Sequence, residues 1–175
     1  MKKILIIVSV VLFNLCFDSS AHASKIAVVD IQKVLQESSA AKDIRNKIKQ
    51  KRDKYQGEIT KEEEKLRSAE KKLASQRGVI SEEAFAQKRE EFKEQLIKVQ
   101  RDVQVKRANL DNSLASSLGE VQGVVFEIIG KLAKEKDFQV AIPTSQILYA
   151  EKSLNITAEV LKRLDKQLPK VKNTK

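Results

Sequence analysis

The sequence predicts an α+β chain that is predominantly α, with a long antiparallel coiled-coil hairpin arm projecting from a small β-rich oligomerisation body. Three observations lead there. No proline occurs before Pro143, so a long stretch of helix-forming composition runs uninterrupted after the first apolar segment. Short β-branched runs stand at both ends of that stretch. A single break, Gly78 with Ser81-Glu82-Glu83 close behind, divides it in two.

Residues 1–23 read as an export signal. Lys2 and Lys3 form a charged start, Ile4 to Phe17 is mostly apolar, and Ala21-His22-Ala23 offers the small residues of a cleavage site. The apolar part is short of the ~20 residues a spanning helix needs. Phe13-Asn14-Leu15 before Cys16 lacks the small residue wanted beside a lipidated cysteine. Cleavage after Ala23 takes 23 residues from 175 and leaves 152.

Cys16, His22 and Met1 are the sole residues of their types, and all lie in that segment. The remaining chain has no thiol nucleophile, imidazole base, disulfide or soft metal ligand, which excludes most hydrolase, transferase and redox mechanisms. No enzyme activity, cofactor or metal is expected. Gly123 and Gly130-Lys131, followed by Leu132, have the wrong spacing for a phosphate-binding loop. The Gly119-x-x-x-Gly123 pair reads as a close helix contact.

Removing Lys2, Lys3 and Asp18 from 34 basic and 24 acidic residues leaves 32 and 23, a net charge of +9. Aromatic residues are few and tryptophan is absent, so a compact globule would lack large core residues.

In chain order, Lys25 to Ile31 reads as a buried strand. The first arm runs from Ser39 to Arg77 with apolar positions Ala41, Ile44, Ile48, Tyr55, Ile59, Leu66, Ala69 and Leu73. Their steps mix heptad and eleven-residue spacing, and Lys51 and Glu62 interrupt the stripe, which loosens the arm there. Ser81 caps the second arm, whose stripe from Phe85 to Leu132 ends about Lys136. Val124, Val125, Ile128 and Ile129 widen its apolar face, marking entry into the body. Phe138–Ile142 and Ile147–Ala150 are strand candidates, and Thr157 caps a last helix that finishes before Pro169. This gives an arm at 39–136, a body at 24–38 and 137–168, and a basic tail at 169–175.

Three short strands expose edges and bury little area, so the body needs association. Ile26, Val28, Ile31, Val140, Ile142 and Leu148 are the expected self-contacts. Arg45, Lys47, Lys49, Lys51, Arg52 and Lys54 cluster at the start of the first arm, opposed only by Asp53. They form either a solvated face or an attractive field for acidic clients and anionic lipid surfaces. Ile80 and Phe85 at the tip, with Val79 and Phe92, either close the hairpin or meet a client. The charge alone would fit nucleic acid, but the export signal and the lack of a recognition module argue against specific binding.

Two segments at opposite ends resemble the Skp/OmpH periplasmic chaperones. Residues 25–38, Lys25-Ile-Ala-Val-Val-Asp-Ile-Gln-Lys-Val-Leu-Gln-Glu-Ser38, are similar to the family's opening strand and turn. Ile147-Leu-Tyr-Ala150 and Asn155-Ile-Thr-Ala-Glu-Val-Leu-Lys-Arg-Leu164 are similar to its closing segment, with Asn155 where Asp often stands. The resemblance implies a homotrimer with joined β-rich bodies and three hairpin arms around an open cavity. It implies ATP-independent holding of unfolded outer-membrane β-barrel proteins in the periplasm. The competing class is a structural coiled-coil scaffold of the cell envelope, with no preference for unfolded clients.

Overall fold

The computed structural model describes residues 24–172. The expected export signal and the last three tail residues lie outside the described residues. The chain forms strand β1 (Ile26–Val29), helix α1 (Ile31–Glu37), helix α2 (Ser39–Gln76), helix α3 (Glu82–Lys136), strand β2 (Val140–Pro143) and helix α4 (Thr157–Gln167). Two single 3-10 turns, Thr144–Gln146 and Lys152–Leu154, lie between β2 and α4.

β1 and β2 pair in parallel, Ile26 opposite Val140 and Val28 opposite Ile142, so the hairpin is the crossover between neighbouring strands. Side chains alternate across the sheet. Ala27, Val29 and Ala141 pack on the main core with Val125, Ile128, Leu132, Val160 and Leu164. Ile26, Val28, Val140 and Ile142 share the opposite face.

The opening strand is shorter than Lys25–Ile31. Asp30 stops it, accepting a hydrogen bond from the Lys33 amide at 2.8 Å and capping α1. Ile31, Val34 and Leu35 then follow at helical spacing and turn inward to the core. Ser38 ends α1 by donating its amide to the Val34 carbonyl, and starts α2 by accepting the Ala41 amide at 3.1 Å. That buried serine bends the chain from body into arm.

At the far end of α2, Gly78 adopts φ +78°, a left-handed conformation that suits glycine, and the Gln76 carbonyl accepts the Val79 and Ile80 amides. Ser81 then caps α3 through the Ala84 amide, with Glu82 and Glu83 in the first turn. α3 ends in the left-handed Asp137, whose carboxylate meets Lys25 at 2.9 Å.

The closing segment departs from expectation in three places. Ile147–Ala150 is no strand: after the 3-10 turn it forms a bent loop, with Leu148 and Tyr149 bare to solvent. The free edge of β1 is taken instead by the backbone at Asn155 and Ile156, the Ile156 amide donating to the Val28 carbonyl at 2.9 Å. Thr157 does not cap α4. Its hydroxyl accepts the Asp30 amide at 2.8 Å, while the Asn155 side chain accepts the Thr157 amide at 2.9 Å. A neutral amide fills that role, so no charge is needed at Asn155. Leu168 and the described part of the basic tail fold back onto the base of the arm, with Leu168 and Val171 buried.

Candidate functional site

The two long helices run antiparallel, with Lys51 opposite Ser113 and Glu58 opposite Lys106. Near the body, Ile44 and Ile48 of α2 and Val121, Val125 and Ile128 of α3 are buried because α1, α4 and the sheet close around them. Past Tyr55 only two helices remain among the described residues. Ile59, Leu66, Leu73, Phe92, Val99, Val103 and Leu110 continue the seam, each only half buried, because a pair of helices covers one narrow stripe and leaves its flanks open. Leu96 and Leu114 of α3 are 38% exposed, Ile97 46% and Val105 50%.

A polar layer separates these regimes. The Lys51 ammonium donates to the Ser113 hydroxyl at 2.6 Å, and the Lys106 ammonium meets Glu58 at 2.9 Å. Both cations lie over the Tyr55 ring, Lys106 at 5.2 Å and Lys51 at 6.0 Å from its centre. The hydrogen bond from Lys106 holds the Glu58 carboxyl below its ordinary value, and the same bond raises Lys106. Lys106 thus reaches across the hairpin rather than only back to Asp102, as helical spacing alone would have it. Beside this layer a recess of about 310 Å³ has an apolar floor of Ile59, Val99 and Val103 and a rim carrying Glu62, Lys65 and Lys98. A bond from Lys65 lowers Glu62 in turn. Both signs of charge above an apolar floor suit weak, sequence-tolerant contact with an extended polypeptide.

The six cations expected at the start of the first arm do not form one patch. Helical spacing puts Arg45, Lys49 and Arg52 on one exposed face of α2, clear of the seam. Lys47 is drawn into the base by Asp43 at 2.9 Å, Lys51 belongs to the polar layer, and Lys54 lies 4.0 Å from Glu58. At the tip, Ile80 and Phe85 line an open recess of about 550 Å³ with Arg77 and Arg89.

Of the expected self-contacts, Ile26, Val28, Val140 and Ile142 share the outer sheet face, where Ile26 and Val140 are exposed. Ile31 is partly buried against the core and lines the recess beside Phe126, and Leu148 stands exposed in the bent loop. Sequence reasoning missed Phe126, 64% exposed on α3 beside a recess of about 300 Å³ shared with Leu35 and Pro143. It also missed Ile97 and Val105. The available signal was position: each is an apolar residue off the three-four stripe. Gly119 and Gly123 make no close contact within the chain, since a methyl group on either would meet open space. Among the described residues no cluster of His, Cys, Asp or Glu could hold a metal, and no helix is long and apolar enough to cross a membrane.

Comparison with known proteins bears on this architecture. The family model described as outer membrane protein (OmpH-like) matches residues 25–164. An uncharacterized protein of Aquifex aeolicus is 31% identical over 144 residues, covering 80% of this chain and 85% of the relative. The crystal structure of a candidate OmpH-like outer membrane chaperone from Caulobacter crescentus superposes with a TM-score of 0.78 at 17% identity, covering 86% of this chain and 89% of that one. At that identity the likeness speaks for the fold.

Proposed function

The chain belongs to the OmpH-like family, and on that premise we propose that it is an ATP-independent holding chaperone of the periplasm that keeps unfolded outer-membrane β-barrel proteins from aggregating. The carrying observation is the distal arm. Its seam is only half buried, and Leu96, Ile97 and Val105 stay partly in water on helices dense in both signs of charge. Such a surface offers many weak contacts and no single tight site, which is what holding a heterogeneous chain requires. Several arms acting together raise affinity through effective concentration.

The reading includes a homotrimer. The outer sheet face with Ile26 and Val140 exposed, the unpaired edge of β2, and bare Phe126, Leu148 and Tyr149 give the body apolar surface that a second copy can cover. Three bodies joined this way would set three coiled-coil arms around a cavity. The exposed cations Arg45, Lys49 and Arg52 would attract acidic segments or an anionic lipid surface.

The test dilutes a urea-unfolded outer-membrane β-barrel into protein lacking residues 1–23, without ATP, and follows light scattering. Suppression near one chaperone oligomer per client is the expected result. A barrel that aggregates as fast as it does alone sinks the reading and leaves the envelope scaffold.

A further inference from the structure

We propose that the segment Leu168–Lys172 is a strap that locks the arm to the body, and that its release frees the arm to swing at its base. The family match ends at Leu164, so the strap lies beyond it. The inference concerns the single chain and stands or falls apart from the chaperone reading.

Helix α4 ends at Gln167, and Pro169 cannot extend it. The chain continues as a bent, irregular segment that contacts both α2 and α3. Leu168 and Val171 enter the core cluster that holds Ile44, Ile48 and Val121, and Val171 is only 2% exposed. Both sides of the Val171 peptide are held by α2: its amide donates to the Asp43 carboxylate at 3.1 Å, and its carbonyl accepts from the Lys47 ammonium at 2.7 Å. On the other side, the Lys172 amide donates to both Glu120 oxygens of α3 at 3.3 Å.

These contacts extend a series that begins on α4. Arg163 grips Glu135, the Gln167 side chain reaches Glu127, and Lys172 reaches Glu120, so α4 and the strap climb α3 towards its N-terminus. On α2 the climb runs from Ser39, whose amide donates to Asp165, up to Asp43 and Lys47. The upper contacts are strap contacts. Without them the body's grip on the hairpin ends lower, at the level of Ser39 and Glu127. The strap binds largely through its backbone, with two apolar side chains as anchors. Such an attachment can let go without unfolding either helix.

The test uses Val171→Asp in the chain lacking residues 1–23. The new carboxylate would be buried in the apolar cluster that holds Ile44, Ile48 and Val121, and would expel the strap. Hydrogen exchange should accelerate about 10-fold or more in residues 40–48 and 118–125, and change little in β1, α4 and the distal arm. Spin labels at Ser75→Cys and Lys162→Cys, diluted with unlabelled chains, should give a broader distance distribution once the strap is expelled. Exchange within about two-fold of the parent at both base segments overturns the proposal. So does loss of protection throughout β1 and α4, which would make the segment part of the body's own core. Val171→Ala adds no charge and should give the same pattern at smaller amplitude, guarding against a fold lost to the carboxylate itself.

Discussion

Ile48 and Leu66 lie on the same seam of the same helix, yet one is buried and the other only half covered. The difference is in the neighbourhood. At the base of the arm a third layer, built from α4 and the strap, closes over the two long helices. Beyond Tyr55 no described residue does. Buried and exposed apolar surface are thereby divided along one pair of helices: where the seam is sealed the arm is anchored, and where it is open the arm keeps apolar surface in water. The divide falls at the polar layer of Lys51, Ser113, Tyr55, Lys106 and Glu58.

The largest expected effect comes from breaking the sealed end. Leu132 is fully buried, and Leu132→Ala should cost about 2–5 kcal/mol, read as a lowered urea midpoint at fixed protein concentration. The equivalent change in the open arm, Leu66→Ala, removes methyl groups that are already half in water and should cost roughly 1 kcal/mol. Its signature is faster hydrogen exchange confined to the arm. Equal costs for the two substitutions would erase the distinction between base and distal arm.

A third change should move in the opposite direction. Ser117 is fully buried just on the body side of the polar layer, and its hydroxyl has no hydrogen-bond partner among the described residues. Ser117→Ala relieves an unsatisfied buried group and improves helix propensity, so the urea midpoint should rise by an equivalent of about 0.5–1 kcal/mol. A fall would mean that the hydroxyl is satisfied in the assembled protein.

The smallest effect is acid sensitivity. The bond from Lys106 depresses Glu58 in the folded arm below its ordinary value of 4.5. Its contribution is therefore present above that value and is lost as pH falls through the lower folded one. The base also carries depressed carboxylates, Glu135 and Glu159, both held down by Arg163, but it keeps its apolar core when they are protonated. On acidification the distal arm should lose exchange protection before the base, and Glu58→Gln should reduce that difference.

Much of this was legible in the residues. Apolar spacing without proline marked both long helices, and Gly78 with Ser81 fixed the tip, because a left-handed turn and a hydroxyl cap are local requirements. The widening at Val124, Val125, Ile128 and Ile129 marked where the arm enters the body. Thr157 misled because it has the chemistry of a cap, and only its nearness to Asp30 assigns the hydroxyl elsewhere. Ile147–Ala150 misled because β-propensity names a segment willing to pair and cannot say whether an edge is free. The candidate surface was less legible than the fold. The six cations are adjacent in sequence, but a helix turns them to different sides, and ion pairing then withdraws Lys47.

The sequence by itself determined the helices, their length and the turn between them. Tertiary structure alone decided which parts of one continuous stripe are sealed, which lysines are occupied, and that the end of the chain climbs the arm. The physical reason is range. Capping, periodicity and turn geometry act within a few residues, whereas burial and ion pairing depend on neighbours such as Val171 and Asp43, or Thr157 and Asp30, that are far apart in sequence and come together only once the chain has folded.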